Sequence, residues 1–188
     1  MKRFAIPLCL FLTVVAAYAP PTWWSQGSTN IFVAGAAANN YGPVNLGQLK
    51  HVATQAKKHL DVALPASGGA GPEVNAMVAA FTNDPGTPTA PGTNFSPVNL
   101  GQLKAVAKPF YDRLIAIGYD TKANLTAHRS PSDPNPWPNN YPWDNDNRVN
   151  VSENYVPANL GQLKFVFSFE VLDSDGDGIP DFWEIDTG

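Results

Sequence analysis

The chain has 188 residues, with 12 basic and 16 acidic side chains and a single cysteine. Six of the acids lie in the last 16 residues, which contain no base, so residues 18–172 carry ten bases and ten acids. A body without net charge lacks the positive surface that attracts nucleic acid or an anionic membrane. Both classes of partner are therefore disfavoured, and the acidic tail requires an explanation of its own.

The first residues have the layout of a secretory signal peptide. A basic start at 1–3 precedes an apolar run over 4–19 that is too short to span a membrane. Pro20 would block a cut directly before it, so we expect cleavage after Ala17. The predicted location is outside the cell or on its surface, with the periplasm as the alternative, and no transmembrane segment follows the signal.

The only cysteine, Cys9, lies inside this signal. Leu8 stands before it where a lipoprotein signal needs a small residue, which indicates export without a lipid anchor. The mature chain then has no cysteine and cannot form disulfides, so its stability must come from a core or from bound metal.

The hexapeptide NLGQLK occurs three times, each time after a proline and a small apolar residue. Its asparagine is a good helix N-cap, because the side-chain oxygen accepts from a free N–H of the first turn. The glutamine three residues later completes a capping box, and the flanking apolar residues form a hydrophobic staple. The predicted N-caps are Asn45, Asn99 and Asn159.

Apolar residues continue after each copy at steps of three and four, which predicts three helices with one buried face each. The stripes run over 46–60, 100–114 and 160–171. Pro109 is expected to kink or restart the second helix, because proline lacks the N–H needed there. Pro72 is expected to open a short partner helix over 72–83.

The predicted fold is mainly α, with short capped helices in three imperfect repeats, long Gly/Pro/Asn-rich loops and a terminal calcium-binding loop. We expect the units to stack in a row through their apolar stripes, with less regular units at the ends. The predicted organisation is a signal peptide over 1–17, a first helical unit over 18–94 and a second over 95–150. A third repeat helix follows over 151–172, and the calcium loop over 173–188.

Two residues of the hexapeptide are not needed for capping. The glycine lowers helix propensity by roughly 1 kcal/mol relative to alanine. One interpretation is structural: the glycine admits a neighbouring element, and the lysine covers apolar surface with its stem. The other is an anion site formed by first-turn N–H groups and the lysine. The structural interpretation is favoured, because nearly every other position of the motif already has a structural role.

These features resemble a known family. The YxPVNLGQLK-type repeat, Trp23-Trp24, the variant AVAKPFYDRL and the final DGDG stretch are similar to uncharacterised secreted NLGQLK-repeat proteins of Verrucomicrobia and related bacteria. The resemblance extends over nearly the whole mature chain and implies little about activity.

The acidic tail reads DSDGDGIPDFWE over 173–184. Oxygen ligands at its first, third, fifth, seventh, ninth and twelfth positions, with glycine at the sixth, give the pattern of a twelve-residue calcium loop. Hard oxygen ligands in this number suit Ca²⁺ better than Mg²⁺ or a transition metal. The predicted ligands are Asp173, Asp175, Asp177, the carbonyl of Ile179, Asp181 and Glu184.

Pro180 occupies the eighth position, where paired EF-hands need a backbone N–H, so an ordinary EF-hand pair is not expected. The stretch resembles thrombospondin type 3 calcium repeats instead. The alternative is a solvated acidic tail that binds nothing. Because the sequence stops shortly after Glu184, we expect a fragment of a longer protein or an unusually short family member.

Aromatic residues suggest a second ligand class. Trp137, Tyr141 and Trp143 lie in a proline-broken loop where they could stack on sugar rings, and Trp23-Trp24 could contribute. Such residues more often pack a long loop onto the body. If the loop aromatics form one open platform, sugar binding gains support; if they are buried, the structural role holds.

The sequence gives no catalytic constellation. His51, His59 and His128 fit no metal-ligand or triad spacing, and Lys57-Lys58-His59 reads as the solvent side of the first helix. There is no P-loop, dinucleotide fingerprint or nucleophile elbow. We expect a non-catalytic protein: a calcium-binding structural or adhesive module of the cell surface, or alternatively a carbohydrate-binding module.

The capping interpretation predicts the effect of Asn99→Ala. The substitution removes the acceptor of a first-turn N–H and should lower the free energy of unfolding by about 1 kcal/mol. Asn99→Ser keeps an acceptor and should lose markedly less in the same urea titration. Equal stability of all three proteins would contradict the capping role.

Overall fold

A computed structural model describes residues 21–25, 40–82, 94–121 and 154–184. Most of these residues are helical, and they contain isolated β-bridges but no β-strand. The five α-helices within them are α1 (Leu46–Ala63), α2 (Gly71–Thr82), α3 (Leu100–Ala116), α4 (Leu160–Val166) and α5 (Asp181–Glu184). Two 3₁₀ turns lie at Thr22–Ser25 and Pro65–Ser67. No helix among the described residues is long and apolar enough to cross a membrane.

The three predicted helix starts are confirmed. α1, α3 and α4 each begin directly after the asparagine of the hexapeptide, and each has a complete capping box. At the start of α3, Gln102 N donates to Asn99 Oδ1 at 2.8 Å, and Asn99 N donates to Gln102 Oε1 at 3.0 Å. The reciprocal pair satisfies two backbone donors that a helix start otherwise leaves free.

The first two apolar stripes form the core. α1 packs against both α2 and α3, and α2 packs against α3. Each buried aliphatic or aromatic side chain contributes roughly 1.5–3 kcal/mol. The largest buried side chains of α1 and α3 are Leu49, Leu60, Leu103, Phe110, Tyr111 and Leu114.

Two further helix predictions have different outcomes. The partner helix predicted over 72–83 is α2, shifted by one residue. Pro109 was predicted to kink or restart the second helix; the restart is wrong, because α3 continues through Pro109 to Ala116. Ala105, whose carbonyl loses its partner, is exposed, so water can replace the missing bond.

The segments before the three caps meet in a closed ring of backbone hydrogen bonds. Val44 N donates to Ala158 O at 2.9 Å, Ala158 N to Val98 O at 2.8 Å, and Val98 N to Val44 O at 2.9 Å. All three residues are almost completely buried, at 0–1% exposure. We call this set of three residues the central ring. Each copy of the motif donates to one neighbour and accepts from the other.

A second set of bonds closes in the opposite direction. In each copy the N–H of the first helical residue donates to a backbone carbonyl of the next copy at 2.9 Å. That carbonyl belongs to the residue two positions before the central-ring residue of the next copy. These bonds are Leu46 N to Ser96 O, Leu100 N to Val156 O, and Leu160 N to Gly42 O. The helix starts therefore complete one another's backbone hydrogen bonding.

The ring corrects the expected arrangement of the units. A stack in a row would leave the first and last copies apart, whereas Val44 bonds directly to Ala158. The physical reason is that each pre-cap segment has both a free N–H and a free carbonyl. Only closure leaves none of these groups unpaired in the buried centre.

Ring closure also explains the glycine of the hexapeptide. A Cβ on Gly101 would lie 3.1 Å from Asn154 Cβ and 3.2 Å from Asn154 O. The same close approach joins Gly47 to Asn94 and Gly161 to Asn40. The glycine admits the backbone of the neighbouring copy, as the structural interpretation held.

In the second and third copies, the lysine of the hexapeptide contacts the same asparagine as the glycine does. Lys104 Nζ donates to Asn154 Oδ1 at 2.9 Å, and Lys164 Nζ donates to Asn40 Oδ1 at 3.0 Å. In the first copy, Lys50 Nζ lies 5.8 Å from the centre of the Phe81 ring, a cation–π contact. A role in joining copies was not predicted from the sequence.

The anion-site alternative is wrong for the third copy. At the start of α4, Gly161 N donates to Asn40 O at 2.8 Å, and Gln162 N donates to Asn159 Oδ1 at 2.8 Å. Leu160 N is bonded within the ring as well. These first-turn donors are already used by the protein, so none remains directed at an anion.

The third stripe is only partly helical. α4 ends at Val166, whereas the sequence predicted helix as far as Val171. Residues 167–171 are irregular, yet Phe167, Phe169 and Val171 are buried. Buried side chains at every second residue are typical of an extended chain. Phe167 and Val171 are also four residues apart, a spacing typical of a helix, and this spacing led to the helical prediction.

Side chains satisfy the backbone of this buried segment. Trp23 Nε1 donates to Phe169 O and Trp24 Nε1 donates to Phe167 O, each at 2.8 Å. Val171 N donates to His59 Nε2 at 3.0 Å. The polar groups of a non-helical buried segment need such partners, which fixes the roles of both tryptophans.

His59 is therefore not on the solvent side of α1, and that prediction is wrong. Its ring stacks on Trp23 at 5.9 Å between centroids and 20° between planes. Burial lowers the pKa of His59 to about 4, although the nearby carboxylate of Glu170 acts in the opposite direction. Glu170 in turn accepts from both the backbone N–H and the hydroxyl of Thr22.

The close approach at Gly101 predicts that Gly101→Ala is destabilising. Helix propensity alone would favour alanine by roughly 1 kcal/mol. Overpacking against Asn154 costs roughly 1–3 kcal/mol, so a net loss of about 1 kcal/mol is expected in urea unfolding. Ala105→Gly, at an exposed position of the same helix, measures the propensity effect alone. A gain in stability for Gly101→Ala would show that the copies do not approach this closely.

The lowered pKa of His59 predicts acid sensitivity. The unfolded chain takes up the proton near pH 6.5, whereas the folded chain resists protonation until about pH 4. The stabilising contribution is therefore complete above pH 6.5 and is lost as the pH falls towards 4. Between pH 7.5 and 4.5 the free energy of unfolding should fall by roughly 2–3 kcal/mol from this group.

His59→Gln isolates that contribution. The variant retains the carboxylates and His51, so the difference between its pH dependence and that of the parent reports His59 alone. Urea titrations at both pH values should show the extra loss only in the parent. Parallel losses in the two proteins would contradict the buried, neutral imidazole.

Candidate metal centre

The acidic segment after residue 172 folds into a compact turn. Asp181 N donates to Leu172 O at 2.9 Å, which closes the segment at the start of α5. Gly176 and Gly178 have φ of 77° and 88°, in the left-handed region that favours glycine. Gly178 is the glycine at the sixth position of the predicted calcium loop, and this conformation lets the chain turn there.

Backbone donors orient the aspartates inside this turn. Asp173 accepts from Gly176 N at 2.9 Å through Oδ1 and from Gly178 N at 3.0 Å through Oδ2. Asp175 Oδ1 accepts from Asp177 N at 3.1 Å, and Asp177 Oδ1 accepts from Ile179 N at 2.7 Å. These bonds hold the carboxylates in place without neutralising their charge.

Three of the predicted ligands come together. Asp173, Asp175 and Asp177 each offer a carboxylate oxygen, and these oxygens lie within 4.8 Å of one another. We call these three side chains the aspartate cluster. Three carboxylates at this separation repel one another and favour a cation of high charge.

Glu184 lies close enough to sense this charge. Its pKa is raised, first by desolvation and then by the negative charges of Asp175, Asp177, Asp181 and Asp173. A raised carboxyl pKa means that the folded loop disfavours a further negative charge there. A bound cation would reverse that preference, because it replaces repulsion with attraction.

The carboxylate of Asp181 is hydrogen-bonded to Ser174. Its Oδ1 accepts from Ser174 N at 2.7 Å and its Oδ2 accepts from Ser174 Oγ at 2.6 Å. These bonds to Ser174 lower the pKa of Asp181. The structure therefore places Asp181 as a brace across the turn and leaves it outside the aspartate cluster. Ser174 was not singled out from the sequence, although a serine between acidic residues can form such a bond.

The turn is attached to the helical body by aromatic residues. Trp183 Nε1 donates to Ile117 O at 2.7 Å, at the C-terminal end of α3. The rings of Phe182 and Tyr119 meet edge to face with centroids 5.7 Å apart. A Cβ on Gly178 would lie 3.2 Å from Pro65 Cγ, so the turn also rests on the Pro65–Ser67 turn.

The aromatic candidates have different outcomes. Trp137, Tyr141 and Trp143 lie outside the described residues, so sugar stacking on their loop stays a prediction. Trp23 is 1% exposed and Trp24 is partly buried, with both indole N–H groups bonded to backbone carbonyls. The suggestion that this pair contributes to a sugar platform is not supported.

The other predicted positions include one predicted ligand within the turn and several that lie outside it. Ile179 is partly exposed and its N–H is used by Asp177. The signal peptide and His128 lie outside the described residues. The chain matches no protein-family model, no curated protein and no solved structure.

Proposed function

We propose that the chain is a secreted or cell-surface calcium-binding protein with a structural or adhesive role and without catalytic activity. The calcium site would be the turn over 173–184, with Asp173, Asp175 and Asp177 as the principal carboxylate ligands. Glu184 and the Ile179 carbonyl would complete the shell, and Asp181 would bind through water or brace the turn.

The single observation that carries this proposal is the convergence of the aspartate cluster within 4.8 Å. Its geometry follows from specific backbone bonds and from two glycines with left-handed conformation. A merely solvated tail would place its charges far apart, because repulsion falls with distance. Desolvation and the charges of the neighbouring aspartates raise the pKa of Glu184, and a cation bound beside them would lower that pKa again.

Calcium fits this donor set better than the other common cations. The ligands are carboxylate and carbonyl oxygens on a flexible turn, which suits six to eight ligands at variable angles. Mg²⁺ requires near-ideal octahedral geometry, and transition metals prefer nitrogen or sulfur ligands. The sequence pattern of the turn supports the same choice.

The proposed role of the ion is to fix the turn against the helical body. Trp183, Phe182 and Gly178 already contact the end of α3 and the Pro65–Ser67 turn. Cancelling the repulsion among the aspartates would stabilise those contacts by mass action. The location outside the cell rests on the signal-like N-terminus, and the alternative of a carbohydrate-binding module through the loop aromatics rests on sequence alone.

Calorimetric titration of the mature chain tests the proposal. Ca²⁺ should bind with one site and a dissociation constant of roughly 10⁻⁴–10⁻³ M or tighter, and Mg²⁺ should bind more weakly. Asp175→Asn and Glu184→Gln should each weaken Ca²⁺ binding at least tenfold. Glu73→Gln, which removes an exposed carboxylate on α2, is the matched control and should bind as the parent does.

Limited proteolysis gives a second readout. Chelation should expose the bonds around 173–184 to cleavage and leave α1, α2 and α3 protected. Absence of Ca²⁺ heat in the parent, or equal heats in the parent, Asp175→Asn and Glu184→Gln, would overturn the proposed site.

A further inference from the structure

Three aromatic rings project into solvent from equivalent places in the three copies. Each ring directly follows the asparagine that contacts the hexapeptide glycine of a neighbouring copy. Each also stands two residues before the proline that precedes the hexapeptide. Tyr41 is 90% exposed, Phe95 is 75% exposed and Tyr155 is 77% exposed. We call these three side chains the exposed aromatic triad.

The central ring places the three residues of the triad at one level around its axis. Its hydrogen bonds use the same atoms in every copy and close head to tail, so the copies are related by an approximate threefold rotation. Equivalent residues of such an arrangement lie at the same level around the axis. The prolines of the three copies are exposed beside the triad at Pro43, Pro97 and Pro157.

Packing does not explain why these positions are aromatic. None of the three rings stacks on another aromatic ring of the described residues, and the position that follows them varies freely between Gly42, Ser96 and Val156. The repeated asparagine, glycine and glutamine of the hexapeptide, by contrast, have contacts that account for them. The same exposed position carries an aromatic ring in all three copies, and this repetition indicates recognition of something outside the chain.

We propose that the exposed aromatic triad binds an uncharged polysaccharide, with each ring stacking on the apolar face of a sugar ring. An aromatic face is a flat surface with a negative quadrupole that attracts C–H groups. Three separate and equivalent rings suit a polymer that presents the same unit repeatedly. Each contact is weak, and their combination gives useful affinity through effective concentration.

Charge argues for an uncharged partner. Residues 18–172 carry ten bases and ten acids, so no field attracts an anionic polymer. Lys104 and Lys164, which lie near the triad in the motif, direct their ammonium groups to Asn154 and Asn40. A nucleic acid would stack on aromatic rings as well, but it requires a positive groove to follow its phosphates.

The high exposure of each ring argues against a protein partner. Protein interfaces are built around a contiguous apolar centre that excludes water. Here each ring is 75–90% exposed, so none lies within a buried apolar centre. A second copy of the chain is the remaining protein occupant, and the experiment distinguishes it.

This site does not depend on the proposed calcium function, so it is tested without calcium. The mature chain is run in native gels that contain xyloglucan, mixed-linkage β-glucan or galactomannan, and it is sedimented with insoluble cellulose and chitin, all in EDTA. At least one of these neutral polysaccharides should retard or sediment the parent, and the anionic polymer polygalacturonate should not.

Substitutions assign the binding to the triad. Tyr41→Ala, Phe95→Ala and Tyr155→Ala should each weaken binding about three- to tenfold, and the triple variant should abolish it. Phe95→Tyr keeps a ring and should bind as the parent does. Val62→Ala removes an apolar side chain that is 78% exposed on α1 and serves as the matched control.

Three results would overturn the proposal. The first is failure of every neutral polysaccharide to bind the parent. The second is equal binding by the parent and a triple variant whose circular dichroism and melting are unchanged. The third is a parent that self-associates in sedimentation analysis while the triple variant does not, which would assign the triad to contacts between copies of the chain.

Discussion

The structure depends on one closed set of backbone hydrogen bonds, the central ring formed by Val44, Val98 and Ala158. Each of these residues is buried and gives its N–H to one copy and its carbonyl to the other. A buried backbone group without a partner costs free energy comparable to a lost hydrogen bond. Because no member can be withdrawn without leaving unpaired groups on the other two, the three copies require one another.

This constraint explains why six residues recur without change. The asparagine and glutamine satisfy the N–H groups that the helix start leaves free, and the glycine admits the neighbouring backbone. In two copies the lysine reaches the asparagine of the neighbouring copy, as Lys104 does with Asn154. A helix in isolation needs only the capping residues. Closure with the other copies accounts for the glycine and, in two copies, for the lysine.

Local features of the fold could be predicted from the sequence, and long-range features could not. The cap at Asn99 depends on residues within one turn, so the hexapeptide alone indicates it. The ring bond from Val44 to Ala158 spans most of the chain, and no periodicity records which segments meet. His59 was misplaced for the same reason, because Trp23 and Val171 reach it from distant parts of the sequence.

The candidate metal centre shows the same division. Asp173, Asp175 and Asp177 could be predicted to converge, since ligand spacing within a short turn is a local property. The bond between Asp181 and Ser174, and the docking of Trp183 on Ile117, depend on how the turn closes and on what lies beneath it. The aspartate cluster is thus a local device attached to the end of α3, whereas the central ring joins the entire described body.

Native-state hydrogen exchange of the amides of Val44, Val98 and Ala158 tests the ring most directly. If the ring closes all three copies, these amides exchange only through global unfolding. Their opening free energies are then equal to one another and to the unfolding free energy from urea titration, with or without Ca²⁺. If Ala158 exchanged by a local opening well below that of the other two, the third copy would separate on its own, and the ring would not be the constraint on which the fold depends.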